Sequence, residues 1–208
     1  MEKNVKIFLI VIGVLIAALI IWGLISYFSK GNRKGRAAER KVAGVLKKLG
    51  KNDNIRIINN AFLPLYRKTV EIDHLVFGRF GVLVVETKGI SGSISGKGKK
   101  LTHKVGPKVH KLYNPELQNK THIDNVTHHL KKGGFDSTPV YGAVVFTDKD
   151  LKNESGVGMD IDGLKKFYEN LPDSNCNQDV LYHHFQKLEV NNPVKKFFHK
   201  HFNKKDWD

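Results

Sequence analysis

The longest apolar stretch of the chain comes first: from Ile7 to Ser29 no residue is charged, and Ile, Leu and Val dominate. As a helix rising 1.5 Å per residue this run is roughly 35 Å long, enough to cross a hydrocarbon core of about 30 Å. A secretory signal would have an apolar core of about 7–15 residues ending in small residues. Here the run continues through Trp22, Tyr27 and Phe28. The pattern predicts a transmembrane helix over residues 5–29, with Trp22 and Tyr27 at an interface. Lys30, Arg33, Lys34 and Arg36 follow the run, against Lys3 and Lys6 before it. The heavier basic flank predicts a single-pass membrane protein whose C-terminal side is cytoplasmic.

After a polar linker at residues 30–35 (KGNRKG) the spacing changes. Ala38, Val42, Val45, Leu46 and Leu49 recur at helical intervals, which predicts a helix over Arg36–Leu49 with Gly50 as its stop. Ile55–Asn60 and Thr69–Phe77 read as strands, Gly78-Arg79-Phe80-Gly81 as a turn, and Val82–Lys88 as a third, strongly β-branched strand. Residues 89–98 (GISGSISGKG) predict a turn or short hairpin. Asn114-Pro115 opens a helix that runs to Lys132, before Gly133-Gly134. Val140–Thr147 is apolar enough for an interior strand, and Ile161–Asn170, Gln178–Leu188 and Pro193–Phe202 predict helices. No internal repeat is visible. This order implies one α/β or α+β domain in which helices cover a central sheet.

Charge adds a second theme. The chain carries +15, and without its first 29 residues it still holds 33 basic against 19 acidic residues. Anionic lipid headgroups account for the cluster beside the apolar run, at about 1 kcal/mol per basic residue near the surface. Lys97, Lys99, Lys100, Lys104, Lys108 and Lys111 lie far from it and suit a phosphate backbone, or form a solvated lysine face. Cys176 is the lone cysteine, which excludes an intrachain disulfide and a multi-cysteine zinc site. The Gly-rich stretch lacks a Gly-Lys-Ser/Thr ending, so a P-loop is not expected.

If the turn at 78–81 closes an antiparallel hairpin, residues whose numbers sum to 159 face each other. Leu75 then lies opposite Val84, Asp73 opposite Glu86 and Glu71 opposite Lys88, all on one side of the sheet. Like charges placed directly across a ladder are destabilising. Three things could offset the Asp73 and Glu86 carboxylates: a divalent cation, a shared proton, or a neighbouring Lys or Arg. The residue pattern leaves three readings open. One is an exposed sheet face with a Glu71–Lys88 pair, one a hard oxygen site for Mg²⁺ or Mn²⁺, and one a carboxylate dyad sharing a proton.

The blocks E-I-D-H at 71–74 and G-x-x-G-V-L-V-V-E-T-K at 78–88 resemble the nuclease-related domain (NERD) family, a branch of the PD-(D/E)xK nucleases. Further matching blocks are G-R-A-A-E-R-K-V around Glu39, N-N-A-F-L-P at 59–64, G-x-I-x-G at 92–96 and N-P-E-L-Q-N-K-T-H at 114–122. The likeness spans roughly Gly35 to Phe146. Ala38 stands where the family usually has Gly, and Gly89 follows Lys88 where a polar residue such as Asn is usual. The resemblance implies an α/β, restriction-endonuclease-like fold with a central mixed sheet flanked by helices. The nuclease core would span residues 36–148, with a helical extension packed on it over 149–208.

By the same resemblance, Asp73 and Glu86 would ligate Mg or Mn, with the Thr87 carbonyl as a further oxygen. Glu39 would complete the shell directly or through water. Lys88 would orient the attacking water and offset charge on the phosphate, and Gln118 would support the site from its helix. Lys97, Lys99, Lys100 and Lys104 would hold the nucleic acid. Plainer readings stand beside these. Glu39 in the first turn of its helix would favour the helix dipole anyway, and Gln118 suits an ordinary helix surface. His74 is expected to pack on the face opposite Asp73, and His122 either packs or hydrogen-bonds to the site. The doublets His128-His129 and His183-His184, with His199 and His201, read as surface histidines, because neighbouring helix positions diverge. The expected function is membrane-anchored, metal-dependent phosphodiester hydrolysis on DNA, with RNA as the other substrate. The alternatives are a silent nucleic-acid-binding module on the same fold and a scaffold that binds anionic lipid.

Overall fold

Val82, Leu83, Val84 and Val85 are all fully buried, which requires that both faces of their strand be covered. The computed structural model describes residues 2–65 and 68–190 and shows what covers them. In chain order the elements are α1 (Glu2–Leu49), β1 (Arg56–Leu65), β2 (Lys68–Gly78), β3 (Gly81–Lys88), β4 (Ser93–Ser95), β5 (Lys100–Val105) and β6 (Lys108–Tyr113). They continue with α2 (Pro115–Lys132), β7 (Val140–Phe146), β8 (Lys152–Asn153), α3 (Ile161–Glu169) and α4 (Gln178–Leu188).

The main sheet has the order β1-β2-β3-β7, antiparallel except for the β3–β7 pair. Alternation along the strands sends Leu75, Phe77, Val82 and Val84 to one face, where Val126 and Leu130 of α2 and Leu181 and Phe185 of α4 close the core. Val76, Leu83, Val85 and Val145 point the other way, against Val42 and Leu46 of α1 and Leu164 and Tyr168 of α3. The return from β3 to its parallel neighbour β7 passes through β4, β5 and β6 and then through α2; with β8, which follows β7, these three strands form a second sheet of order β6-β5-β4-β8.

The α/β class, the mixed main sheet and the flanking helices agree with expectation, and α2 begins and ends where Asn114-Pro115 and Gly133 mark it. Two points differ. The stretch KGNRKG is helical, so α1 is continuous from Glu2. A Gly costs only about 1 kcal/mol in a helix, and Lys30, Arg33, Lys34 and Arg36 around Gly31 and Gly35 are good helix formers. The second sheet is new: β5 and β6 are rich in lysine and show little apolar alternation. The helix expected over 193–202 lies outside the described residues. Among those described, no helix is long and apolar enough to cross a membrane. Apart from residues 12–20, the side chains of the expected span 5–29 also lie outside them.

Candidate functional site

The β2–β3 hairpin has the expected register, with Phe77 opposite Val82 and Leu75 opposite Val84, and its ladder extends to the His74–Val85 pair. Beyond that pair Asp73 turns to the backbone, and its Oδ2 accepts the Thr87 N–H at 2.7 Å. Glu86 lies on the α2 side of the sheet and is only 3% exposed. Its Oε1 is 2.7 Å from Lys88 Nζ, and its Oε2 is 3.2 Å from His122 Nε2. Lys88 Nζ also donates to Gln118 Oε1 at 2.9 Å. Gln118 and His122 are four residues apart, hence one above the other on a single face of α2.

Helix α2 is fixed to the strands it serves. Asn119 Nδ2 donates to the Val84 and Ala143 carbonyls, both at 3.2 Å, bridging β3 and β7. This approach needs Gly142, because a Cβ there would sit 2.4 Å from the Ile123 side chain and 3.0 Å from Asn119 Nδ2. At the start of α2 the Asn114 side chain accepts the Glu116 N–H at 2.9 Å and donates to the Gly98 carbonyl at 3.0 Å. On the other side of the sheet, Glu39 Oε2 accepts from Asn60 Nδ2 at 3.1 Å. Asn60 has φ 52°, a left-handed conformation that Asn tolerates better than most residues. It sits between the Asn59–His74 and Ala61–Ile72 pairs, level with Asp73.

The two carboxyl groups are driven apart electrostatically. Burial, then the charge of Glu86, raises the Asp73 pKa well above the ordinary carboxyl range, and the Thr87 N–H only partly opposes this. Burial pushes Glu86 upward too, but the Lys88 ammonium and His122 outweigh it, so Glu86 is held below its ordinary value. Glu86 is therefore the carboxylate, and Asp73 the group that takes a proton more readily. His74 is buried with Nδ1 2.7 Å from Asn59 Oδ1, and its burial lowers its pKa to about 4.

Asp73, Glu86, Lys88 and Gln118 are thus brought together, with Thr87 at the same point through its N–H. Glu39 approaches from α1, bound to Asn60, and its charge is felt at Asp73. Lys97 and Lys99 lie in the β4–β5 loop, and Lys100 and Lys104 on β5. Several plainer readings need correction. The exposed-face reading fails, because Glu86 is buried and Lys88 engages Glu86 and Gln118. The helix-dipole reading of Glu39 fails because α1 starts far upstream of it. His129 and His184 are not surface groups either. His129 Nε2 is 2.9 Å from the Pro64 carbonyl, and His184 Nε2 is 3.1 Å from the His129 carbonyl. His199 and His201 lie outside the described residues.

Two further residues join the site: His122, one of whose two expected roles was a bond to it, and Asn60, which was not expected there. His122 does so through Glu86, and the Gln118-x-x-x-His122 spacing was the signal for it. Asn60 does so through Glu39, and its left-handed backbone could not be read from the sequence. The donor set fits a hard divalent cation. Two carboxyl groups lie close enough that the charge of Glu86 raises the affinity of Asp73 for protons, and both ring nitrogens of the buried His122 beside Glu86 lack a well-formed hydrogen bond. It is an open set and not a closed cage: among the described residues, no three His, Cys, Asp or Glu side chains converge on one point.

Comparison with known proteins gives two matches. The profile of the family described as "Nuclease-related domain" matches residues 34–147, more than half of the chain. An uncharacterized protein of Bacillus anthracis is 37% identical over 92 residues, covering 43% of this chain and 43% of that protein. The chain therefore spans less than half the length of the curated relative it matches. No solved structure matches it.

Proposed function

The chain belongs to the nuclease-related domain family, and from that premise we propose that it is a metal-dependent nuclease. In this reading it hydrolyses phosphodiester bonds in DNA before RNA, and the apolar run after Ile7 tethers it to the cytoplasmic face of a membrane. The observation that carries the proposal is the cluster of half-buried Asp73, Lys88 and Gln118 around the buried Glu86, in which opposed pKa shifts leave one ionised carboxylate beside an ammonium.

Asp73, Glu86 and the Thr87 carbonyl are the groups that would hold Mg²⁺ or Mn²⁺, with Glu39 near enough to act through its charge on Asp73. Such a cation, when bound, supplies a Lewis acid for a phosphoryl oxygen and lowers the pKa of water. The chain's own residues do the rest. Lys88 has three N–H donors, and those to Glu86 and Gln118 fix its position. The third is left for a phosphate oxygen or the attacking water, so the charge developing on phosphorus meets an ammonium already in place. Gln118 keeps Lys88 aligned, and His122 Nε2 stands 3.2 Å from the second oxygen of Glu86. The described part of the apolar run supports the tether, since Ile12, Val14, Leu15, Ile16, Leu19 and Ile20 are all exposed on α1.

A second reading, a silent nucleic-acid-binding module, draws on the same Lys88–Glu86 ion pair, which occupies one oxygen of a proposed ligand. One experiment separates the two. The full chain in mild detergent is incubated with linear, circular and single-stranded DNA in Mg²⁺, in Mn²⁺ and in chelator, beside Asp73→Ala and Lys88→Ala. The nuclease reading expects cleavage that needs the metal and falls about a hundredfold or more in Lys88→Ala, the usual scale for removing a group aimed at developing charge. It expects a comparable loss in Asp73→Ala. Intact DNA binding with no cleavage under any condition means that the module reading is right.

A further inference from the structure

Between Glu86 and Glu116 the chain has no acidic residue, and Lys97, Lys99, Lys100, Lys104, Lys108 and Lys111 all fall there. Most of them lie on one structure, the antiparallel ribbon of β5 and β6. The ribbon pairs Lys100 with Tyr113, Thr102 with Lys111 and Lys104 with Val109, and Val105 opposite Lys108 closes it across Gly106-Pro107. Because side chains alternate between faces, Lys100, Lys104 and Lys111 share one face. All three are exposed. Residues two apart on a strand are about 7 Å apart, so the three ammonium groups fall within one compact patch. Among the described residues none of the three is in an ion pair. The opposite face carries Leu101 and His103, the first fully buried and the second bonded to the Ser91 carbonyl at 2.8 Å.

The base of the ribbon is joined to the carboxylate site on both sides. His103 holds Ser91, three residues after Lys88. Asn114, directly after β6, takes the Lys99 and Gly98 carbonyls and caps α2 four residues before Gln118. A polyanion lying along the lysine face therefore reaches the end of the ribbon where Lys88 and Gln118 are held.

We propose that the β5–β6 ribbon is an arm that grips the backbone of duplex DNA through Lys100, Lys104 and Lys111, independently of the carboxylate site, and guides the strand to it. This names the form of the substrate for the nuclease reading, and it rests on that reading for the cleavage step after capture. Duplex is favoured over single strand because single-strand binders stack bases on aromatic rings. The lysine face carries a single aromatic side chain, the half-buried Tyr113 at its base opposite Lys100, too few to stack successive bases, and His103 lies on the other face. A two-stranded ribbon is also a shape that the major groove admits.

The test is the affinity of the full chain, in mild detergent and chelator, for a fluorescent 20-base-pair duplex over a range of salt concentrations. It compares the wild type with K100Q/K104Q/K111Q and with the charge-matched K165Q/K166Q/K187Q on α3 and α4. Three lost phosphate contacts lower the log–log salt slope by about 2.7. The expected result is that change, with affinity at least tenfold weaker, in the ribbon variant alone. An unchanged slope, or the same change in the α3/α4 variant, overturns the arm. So does ribbon-dependent binding that is as tight for the corresponding single strand. Loss of binding to phosphatidylserine vesicles with DNA affinity intact would make the ribbon a lipid contact and also overturn it. If neither the wild type nor a variant cleaves the duplex once Mg²⁺ or Mn²⁺ replaces the chelator, the nuclease reading fails, yet the slope measured in chelator still decides the arm.

Discussion

At Asp73 the chain carries a carboxyl group where the fold alone would be better served by a neutral one. Burial and the nearby Glu86 charge raise its pKa, so the folded state binds this proton more tightly than the unfolded chain does. The sign comes from linkage. The contribution of Asp73 to stability is present below its ordinary carboxyl pKa and is lost as pH rises through the raised value. Asp73→Asn keeps an oxygen for the Thr87 N–H and removes the charge, so in chelator at pH 7 it should melt about 2–4 °C higher. That shift corresponds to roughly 1 kcal/mol in a domain of this size. The gap between variant and wild type should close as pH is lowered toward 4. Thermal melts at several pH values check this, and a gap independent of pH would mean that Asp73 is not strained by its charge. Glu86 behaves differently, because Lys88 and His122 compensate it. A cost retained at one specific carboxyl is what a site selected for chemistry, and not for stability, should display.

At the scale of elements, two small residues far apart in the chain, Ala38 and Gly89, meet in space. A Cβ on Gly89 would stand 2.7 Å from the Ala38 Cβ and 2.9 Å from the Lys34 carbonyl, so α1 crosses the end of β3 with no room for both side chains. Ala38 and Gly89 are thus complementary in size at this crossing. Gly89→Asn should therefore cost about 1–3 kcal/mol through overpacking. Ala38→Gly alone should cost up to about 1 kcal/mol in helix propensity. In combination they should couple favourably by about 1 kcal/mol, with part of the loss remaining because the Lys34 carbonyl stays in place. Urea denaturation of the four species measures this; strict additivity would show that α1 yields freely. The same pair shows what a sequence can reveal. The β2–β3 hairpin, its register and α2 are legible because strict alternation, a Gly-x-x-Gly turn and an Asn-Pro cap are all local signals. The α1–β3 crossing and the approach of Glu39 to Asn60 are not, since they depend on which small residues face each other across the core. The β5–β6 ribbon escapes because Leu101 and Leu112 are its main inward apolar residues, and lysines on its other face mask the alternation.

For the whole molecule, the question is how an apolar first helix and a basic domain share one chain. The packed residues of α1 begin at Ala38 and continue through Val42 and Leu46. Every described contact that holds the domain together is thus C-terminal to the apolar run, and the run's exposed Ile and Leu side chains play no part in the core. Deleting residues 2–29 should accordingly change where the protein partitions and leave its fold intact. The full chain should sediment with membranes and resist extraction by alkaline carbonate, as a spanning helix does. The shortened chain should be found in the supernatant with a melting temperature within about 2 °C of the parent, the shift of a sub-kcal/mol change. Release of the full chain by high salt alone would show that basic residues hold it at a lipid surface, because such contacts are screened within about 10 Å at 0.1 M salt. Collapse of the shortened chain's melting transition would show instead that the run is structural. Protease added to the cytoplasmic side of sealed vesicles completes the experiment: the proposed orientation, drawn from the excess of Lys30, Arg33, Lys34 and Arg36 over Lys3 and Lys6, predicts that it removes the basic domain.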